Sequence, residues 1–235
     1  MNPFIHTDGE QIFVRGARLI DPEGGIDEVT DLLVGPNGIE RNPKHIPEGI
    51  SEIKGAGLWA LPGLLDIQVH FRQPGFEYKE TIESGSRAAL AGGITGVVVM
   101  PNTHPSLDTP ESVRFESEES RRVRGIDIHV AAAVTEGLGG EHLTDHAALK
   151  AAGAVAVTDD GLPVMDDGVM QASLEACVEN DLLFMQHAED TDMTQHAPMT
   201  ESAVSRALGV RGQSAEAEGV MVERDIALAA KTGAR

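Results

Sequence analysis

From Leu61 onward the chain alternates between two textures, and this alternation limits its possible folds more than any other feature. "LLDIQV" reads as a strand and "KETIESGSRAALAGG" as a helix closed by glycines. "TGVVVMP" is a β-branched run too short for a helix and stopped by Pro101, and a helical "TPESVRFESEESRRV" follows. "DIHVAAAV", "AVAVTDD" and "LLFMQHAED" read as further strands. "LTDHAALKAAG", "DDGVMQASLEACVEND" and "AEAEGVMVERDIALAAKTG" read as further helices. Strands that alternate with helices build βα units around a parallel sheet.

The polar residues of interest sit where these strands end: His70 and Arg72, Asn102, Asp159 and Asp160, and His187. Several strands that deliver polar groups at their C-terminal ends are the mark of a (β/α)8 barrel, whose active site lies on that face. A doubly wound sheet also binds at strand ends, but it usually carries a glycine-rich phosphate turn after its first strand, and this sequence has none. The expected fold is therefore α/β, a (β/α)8 TIM barrel represented by about its first five βα units. Residues 1–60 differ in texture: "QIFVRGARLIDPEGG" and "VTDLLVGPNGIE" are short strands between Gly, Pro and Asp turns, and "HIPEGISEI" is open between a loop and a 3₁₀ turn. The expected division is a small β-rich module over 1–60 and the barrel portion over 61–235. A closed barrel has eight units, so the chain is expected to be the N-terminal part of a longer enzyme, with Gly233 in a helix-stopping position. A complete five-unit open sheet is the competing expectation.

Charge narrows the partners. The 38 acidic and 18 basic residues give a net charge of −20, which disfavours nucleic acid or an anionic membrane, because phosphate-binding surfaces need clustered Lys and Arg. No apolar run reaches the roughly 18 residues of a membrane span. The opening "MNPFIHTDGEQ" lacks the basic-then-apolar order of a signal peptide. A single cysteine, Cys177, makes a reducing cytoplasm the default location.

The stretch "LPGLLDIQVHFRQPG" concentrates the chemistry. Asp66, Gln68, His70 and Arg72 alternate, so a strand would turn all four to one face, and polar groups on a buried strand need partners. His and Asp are the usual ligands of zinc and related ions where water must be activated. His70, Asp160 and His187 come from three separate strand ends that a barrel brings together. Asp159–Asp160–Gly161 also reads as a turn, and Asp66 as either an orienter of a ligand or a cap. Gln68 stands where a metal site would want a second histidine. Arg72 beside a metal makes sense as a two-bond clamp on a substrate carboxylate. Asn102 in "MPNT" suits an amide or ureido group, or a turn after Pro101. His6, His45, His104, His129, His142, His146 and His196 lack such a context and are expected at the surface or in caps. Metal, arginine clamp and amide partner together suggest hydrolysis or formation of a cyclic amide bearing a carboxylate.

The segments "LPGLLDIQVHFRQPGFEYKETIESGSRAALAGGITGVVVMPNT", "VTDDGLPVMDDGVM", "QHAED" and "AVSRALGVRGQSAEAE" resemble dihydroorotase, of the metal-dependent amidohydrolase superfamily that also holds hydantoinases and allantoinases. "HFRQPG" with "MPNT" marks dihydroorotase among these relatives, and "TDDG" is similar to the type with an aspartate in place of a carboxylated lysine. The resemblance implies zinc-dependent, reversible cyclisation of N-carbamoyl-L-aspartate to dihydroorotate in pyrimidine biosynthesis. It implies His70 and His187 as zinc ligands, Asp160 as a ligand or bridge, and Arg72, Asn102 and His70 as substrate-binding. Gln68 departs from the family's His-x-His pair. The catalytic Asp and a further His ligand are expected beyond Arg235, so the chain alone is expected to be inactive. Two alternatives stand beside the enzyme. One is a non-catalytic dihydroorotase-like subunit supporting aspartate transcarbamoylase, which Gln68 favours. The other is a hydantoinase- or allantoinase-like hydrolase, which Arg72 disfavours, since a neutral ring leaves the guanidinium unpaired. The expected assembly is a cytoplasmic homo-oligomer acting on a small molecule.

Overall fold

A computed structural model describes residues 11–36, 38–123 and 125–235. The expectations for the opening segment and His6 lie outside the described residues. Two compact units are present.

The first contains the described residues up to Leu65 together with Leu90–Thr95. Its strands are β1 (Ile12–Asp21), β2 (Ile26–Gly35), β3 (Gly38–Arg41), β4 (Ser51–Lys54) and β5 (Trp59–Ala60). They form one sheet in the order β3-β2-β1-β4, with β5 also on β1. β1 and β2 are an antiparallel hairpin, and β4 joins β1 in parallel. The ladder slips between Val14 and Ala17. Gly16 occupies that bulge at φ +68, a left-handed conformation that costs glycine little, and its N–H donates to Asp31 Oδ1 at 2.8 Å. "HIPEGISEI" resolves into a loop that runs into β4.

The second unit is Asp66–Ala89 with Gly96–Arg235. The elements that follow the hairpin module are β6 (Leu64–Val69), α1 (Ile82–Ala91), β7 (Ile94–Val99), α2 (Pro110–Ser120), β8 (Asp127–Ala132), α3 (His146–Ala152), β9 (Ala154–Val157), α4 (Asp167–Asn180) and β10 (Leu183–Phe184). Then come α5 (Thr191–Thr194), β11 (Met199–Thr200), α6 (Ala203–Ala207), β12 (Gly212–Gln213) and α7 (Glu216–Thr232). The main sheet runs β10-β9-β8-β7-β6, and β7 to β10 pair in parallel. Strand order equals chain order, with no reversal. That is the βα progression of a barrel wall, and a doubly wound sheet would reverse at a switch point. β7, β8 and β9 are near-continuous apolar runs because helices cover one face and Val98, Met100, Ala131 and Ala156 pack together on the sheet.

Local chemistry sets the helix ends. Thr109 caps α2 in a reciprocal box with Ser112, with Pro110 in the first turn. Asp145 and Asp166 cap α3 and α4 through their side chains. Gly153 and Gly233 close α3 and α7 in the left-handed conformation, the latter as its sequence position predicts.

Within the described residues β6 pairs with β7, and most of its residues are exposed in this part of the sheet. Two features depart from the sequence reading. "LLFMQHAED" supplies only two ladder residues, and His187 lies beyond them in loop. His146 is buried and not at the surface: its ring sits between the Thr144 carbonyl at 3.0 Å and Ser173 Oγ at 3.0 Å. Burial pushes its pKa down and favours the neutral ring, which those two partners suit. No helix among the described residues is long and apolar enough to cross a membrane.

Candidate active site

The site is assembled at the C-terminal ends of β6, β7, β9 and β10. Past Val69 the chain leaves the ladder, and Arg72 takes φ +62, a left-handed conformation unusual for a side chain with a Cβ. Arg72 therefore does not continue the strand alternation with Asp66, Gln68 and His70, yet it reaches the same place by the turn. Gly75 makes that turn. It sits at φ +91, and a Cβ there would lie 2.1 Å from the His104 carbonyl oxygen. His104 N–H donates to the Pro74 carbonyl at 3.0 Å, which clips the 72–76 turn to the loop after β7. That loop carries Asn102.

Asn102 is the hub. Its Nδ2 donates to Asp160 Oδ2 at 2.9 Å. Its Oδ1 accepts from Arg72 Nη1 at 3.1 Å and faces His70 Nδ1 at 3.1 Å. That oxygen only accepts, so His70 Nδ1 is the donor in their contact, and Nε2 is turned towards Asp160 Oδ2 at 3.6 Å. Gln68 Nε2 donates to the other oxygen, Asp160 Oδ1, at 2.5 Å. Gln68, His70, Arg72, Asn102 and Asp160 thus form one connected network. Asp66 takes the capping role: its Oδ1 accepts from the Gln68 backbone N–H at 3.0 Å.

The two adjacent aspartates divide their work. Asp159 is buried and faces away from Asn102. Its Oδ1 accepts from the N–H groups of Val134 at 2.8 Å and Thr135 at 3.1 Å, and its Oδ2 from the Thr135 hydroxyl. Burial raises its pKa, and these three bonds oppose the rise. Asp159 ties the end of β9 to the loop after β8, and Asp160 is the one offered to the site.

His187 is not brought to Asp160's network by a direct bond. Its Nε2 pairs with Glu189 Oε2 at 3.3 Å. Glu189 Oε1 also accepts from Thr194 Oγ1 at 2.5 Å, and that bond, with His187 beside it, holds the carboxyl below the usual range. The two groups share a cavity of about 430 Å³, whose lining includes Gln68, His187, Glu189, Thr194 and Gln213. Glu189 and Thr194 were not foreseen as site residues. The signal for Glu189 was a carboxylate two positions after a strand-end histidine. Among the described residues no three His, Cys, Asp or Glu side chains stand close enough to hold a metal ion. Where the sequence reading expected His70, Asp160 and His187 to converge, the Gln68 amide occupies Asp160 and His187 is engaged by Glu189.

A family model described as "Dihydro-orotase-like" matches residues 57–235. The chain belongs to the dihydroorotase-like family. Among curated relatives it is 42% identical over 225 residues to a dihydroorotase of Solibacter usitatus (strain Ellin6076), covering 95% of this chain and 52% of the relative. It is 40% identical over 226 residues to a dihydroorotase of Clostridioides difficile (strain 630), covering 95% and 53%. The chain therefore spans about half the length of the curated relatives it matches. Among solved structures, an L-hydantoinase (dihydropyrimidinase) from Arthrobacter aurescens superposes with a TM-score of 0.78 at 19% identity, over 97% of this chain and 52% of that one. At that identity the likeness concerns the fold alone, a parallel half-barrel sheet. For a dihydroorotase-like chain, the Arg72–Asn102 pair is the feature that sequence and geometry place together.

Proposed function

We propose that this protein acts as a dihydroorotase, a cyclic amidohydrolase that interconverts N-carbamoyl-L-aspartate and dihydroorotate. The observation that carries this reading is the Arg72–Asn102 contact. Arg72 spends Nη1 on Asn102, and its Nε and Nη2 donate to no group among the described residues. Those two donors form the fork that takes a carboxylate through two parallel bonds. Asn102 is oriented by Asp160 and holds the fork in place. His70 presents its Nε2 edge beside it, a polar group for the ring or carbamoyl end of the substrate. The roles assigned are carboxylate binding for Arg72, and orientation of the amide end for Asn102 and His70.

The zinc ion implied by the resemblance does not fit the donor set of these residues. Both oxygens of Asp160 accept from primary amides, Gln68 offers an amide where the pattern wants an imidazole, and His187 is paired with Glu189. No step is assigned through a metal.

The Gln68–Asp160 bond favours a second reading, a dihydroorotase-like subunit that binds the same ligand without turning it over and supports aspartate transcarbamoylase. One experiment separates the readings: turnover and equilibrium binding of dihydroorotate by the full-length gene product, with dihydrouracil as the analogue lacking the carboxylate. The proposed activity predicts turnover of dihydroorotate exceeding that of dihydrouracil by on the order of a hundredfold, the worth of a desolvated charged pair. Binding of dihydroorotate without turnover supports the second reading. Equal turnover of the two rings refutes the carboxylate clamp.

A further inference from the structure

Asp160 is 7% exposed, and a carboxylate so buried needs compensation for both oxygens. In this chain the compensation comes from two neutral side chains. Gln68 Nε2 donates to Oδ1 and Asn102 Nδ2 to Oδ2. The far end of the Asn102 amide is held by Arg72 and His70, and the Gln68 main chain by Asp66. Each Asp160 oxygen keeps a second lone pair, so a divalent cation there has to share the oxygen with an amide N–H that already draws on its charge, or displace that N–H. Displacing Asn102 also unseats the atom on which Arg72 and His70 rest. To act as a ligand itself, Gln68 has to reverse its amide and offer a carbonyl oxygen, a neutral donor that suits zinc less well than an imidazole.

We infer that Gln68 stands in for a cation at Asp160: its amide, with that of Asn102, engages both carboxyl oxygens and keeps divalent metal away from them. The inference rests on Asp160 belonging to the site described above, but it does not rest on turnover, so metal content tests it separately. The network then does two things at once. It keeps both Asp160 oxygens occupied, and it sets Asn102 at the angle that presents Arg72.

The test is zinc binding by the protein, with bound metal measured by mass spectrometry after equilibration with zinc chloride and passage into chelator-treated buffer. The parent protein is expected to retain no more zinc than its Asp160→Asn variant, which corrects for zinc on other histidines. Gln68→His is expected to bind zinc at least about tenfold more tightly than the parent, the range seen when groups around a metal are changed, and to lose that gain when combined with Asp160→Asn. Should Gln68→His fold poorly, Gln68→Glu serves instead. It sets two carboxylates together, so its melting temperature should fall in EDTA and recover with zinc, whereas the parent's should be the same in both. A full equivalent of zinc in the parent that Asp160→Asn removes overturns the inference. Failure of both Gln68 variants to gain zinc also overturns it, because Gln68 is then not what keeps metal out.

Discussion

Glu116 carries the sharpest stability prediction. It lies in α2 with 1% of its surface exposed, and its Oε2 has no hydrogen-bond partner among the described residues. Burial, followed by the charge of Glu119, lifts its pKa from 4.5 to about 8. The sign follows from linkage. A carboxyl whose folded pKa is raised contributes its stability fully below the unfolded pKa, and that contribution is lost as pH rises through the folded value. At pH 7 the unfolded chain has ionised Glu116 and the folded chain has not. The gap between 4.5 and 7, at about 1.4 kcal/mol per pH unit, corresponds to a penalty on the order of 3 kcal/mol. Replacing the side chain with an apolar one of similar length removes it. Glu116→Met is therefore expected to be more stable than the parent at pH 7, with an advantage that grows steadily between pH 5 and 8. Urea unfolding of both proteins at pH 5, 6, 7 and 8 measures this, and taking the difference cancels the titration of other groups. Parallel stability curves over that range would refute the reasoning, since they would mean Glu116 finds a partner or solvent when it ionises.

Two further predictions concern the scaffold of the site. Asp159→Ala leaves the buried N–H groups of Val134 and Thr135 without their acceptor, and should lower unfolding stability by on the order of 2–4 kcal/mol in urea titrations. Gly75→Ala forces a Cβ into the His104 carbonyl at a left-handed backbone position. It should cost more than about 1 kcal/mol and weaken dihydroorotate binding, as seen by calorimetry, because the 72–76 turn and the Asn102 loop move apart.

The parts of the fold legible in the sequence were those with a strong local signal. β-branched runs gave β7 to β9, and side-chain caps and glycine stops gave α2, α3, α4 and α7. The short pieces α5, α6, β11 and β12 have too few residues for any period to show. Burial was less legible than strand character: His146 looked like a surface residue although Ser173, 27 positions later in the chain, completes its bonds. At the site, Arg72 and Asn102 could be picked out because each closes a strand. Their mutual bond depends on a positive-φ turn and on the clip between Pro74 and His104, which no spacing rule encodes. The choice between Asp159 and Asp160 also required the structure, since only three-dimensional partners distinguish two adjacent carboxylates. The same holds for Gln68: the sequence showed an unexpected residue, and the structure shows what it holds.

The central claim is that the Arg72–Asn102 pair reads a carboxylate on a cyclic amide. Equilibrium binding of dihydroorotate and dihydrouracil to the parent and to Arg72→Lys, at one fixed ionic strength, tests it most directly. An ammonium cannot reproduce the planar two-bond clamp, and the loss should be on the order of 2–5 kcal/mol. The account predicts that the parent prefers dihydroorotate by about thirtyfold or more and that Arg72→Lys loses most of this preference while binding dihydrouracil as before. Equal affinity of the parent for both rings, or a preference that survives in Arg72→Lys, would contradict it.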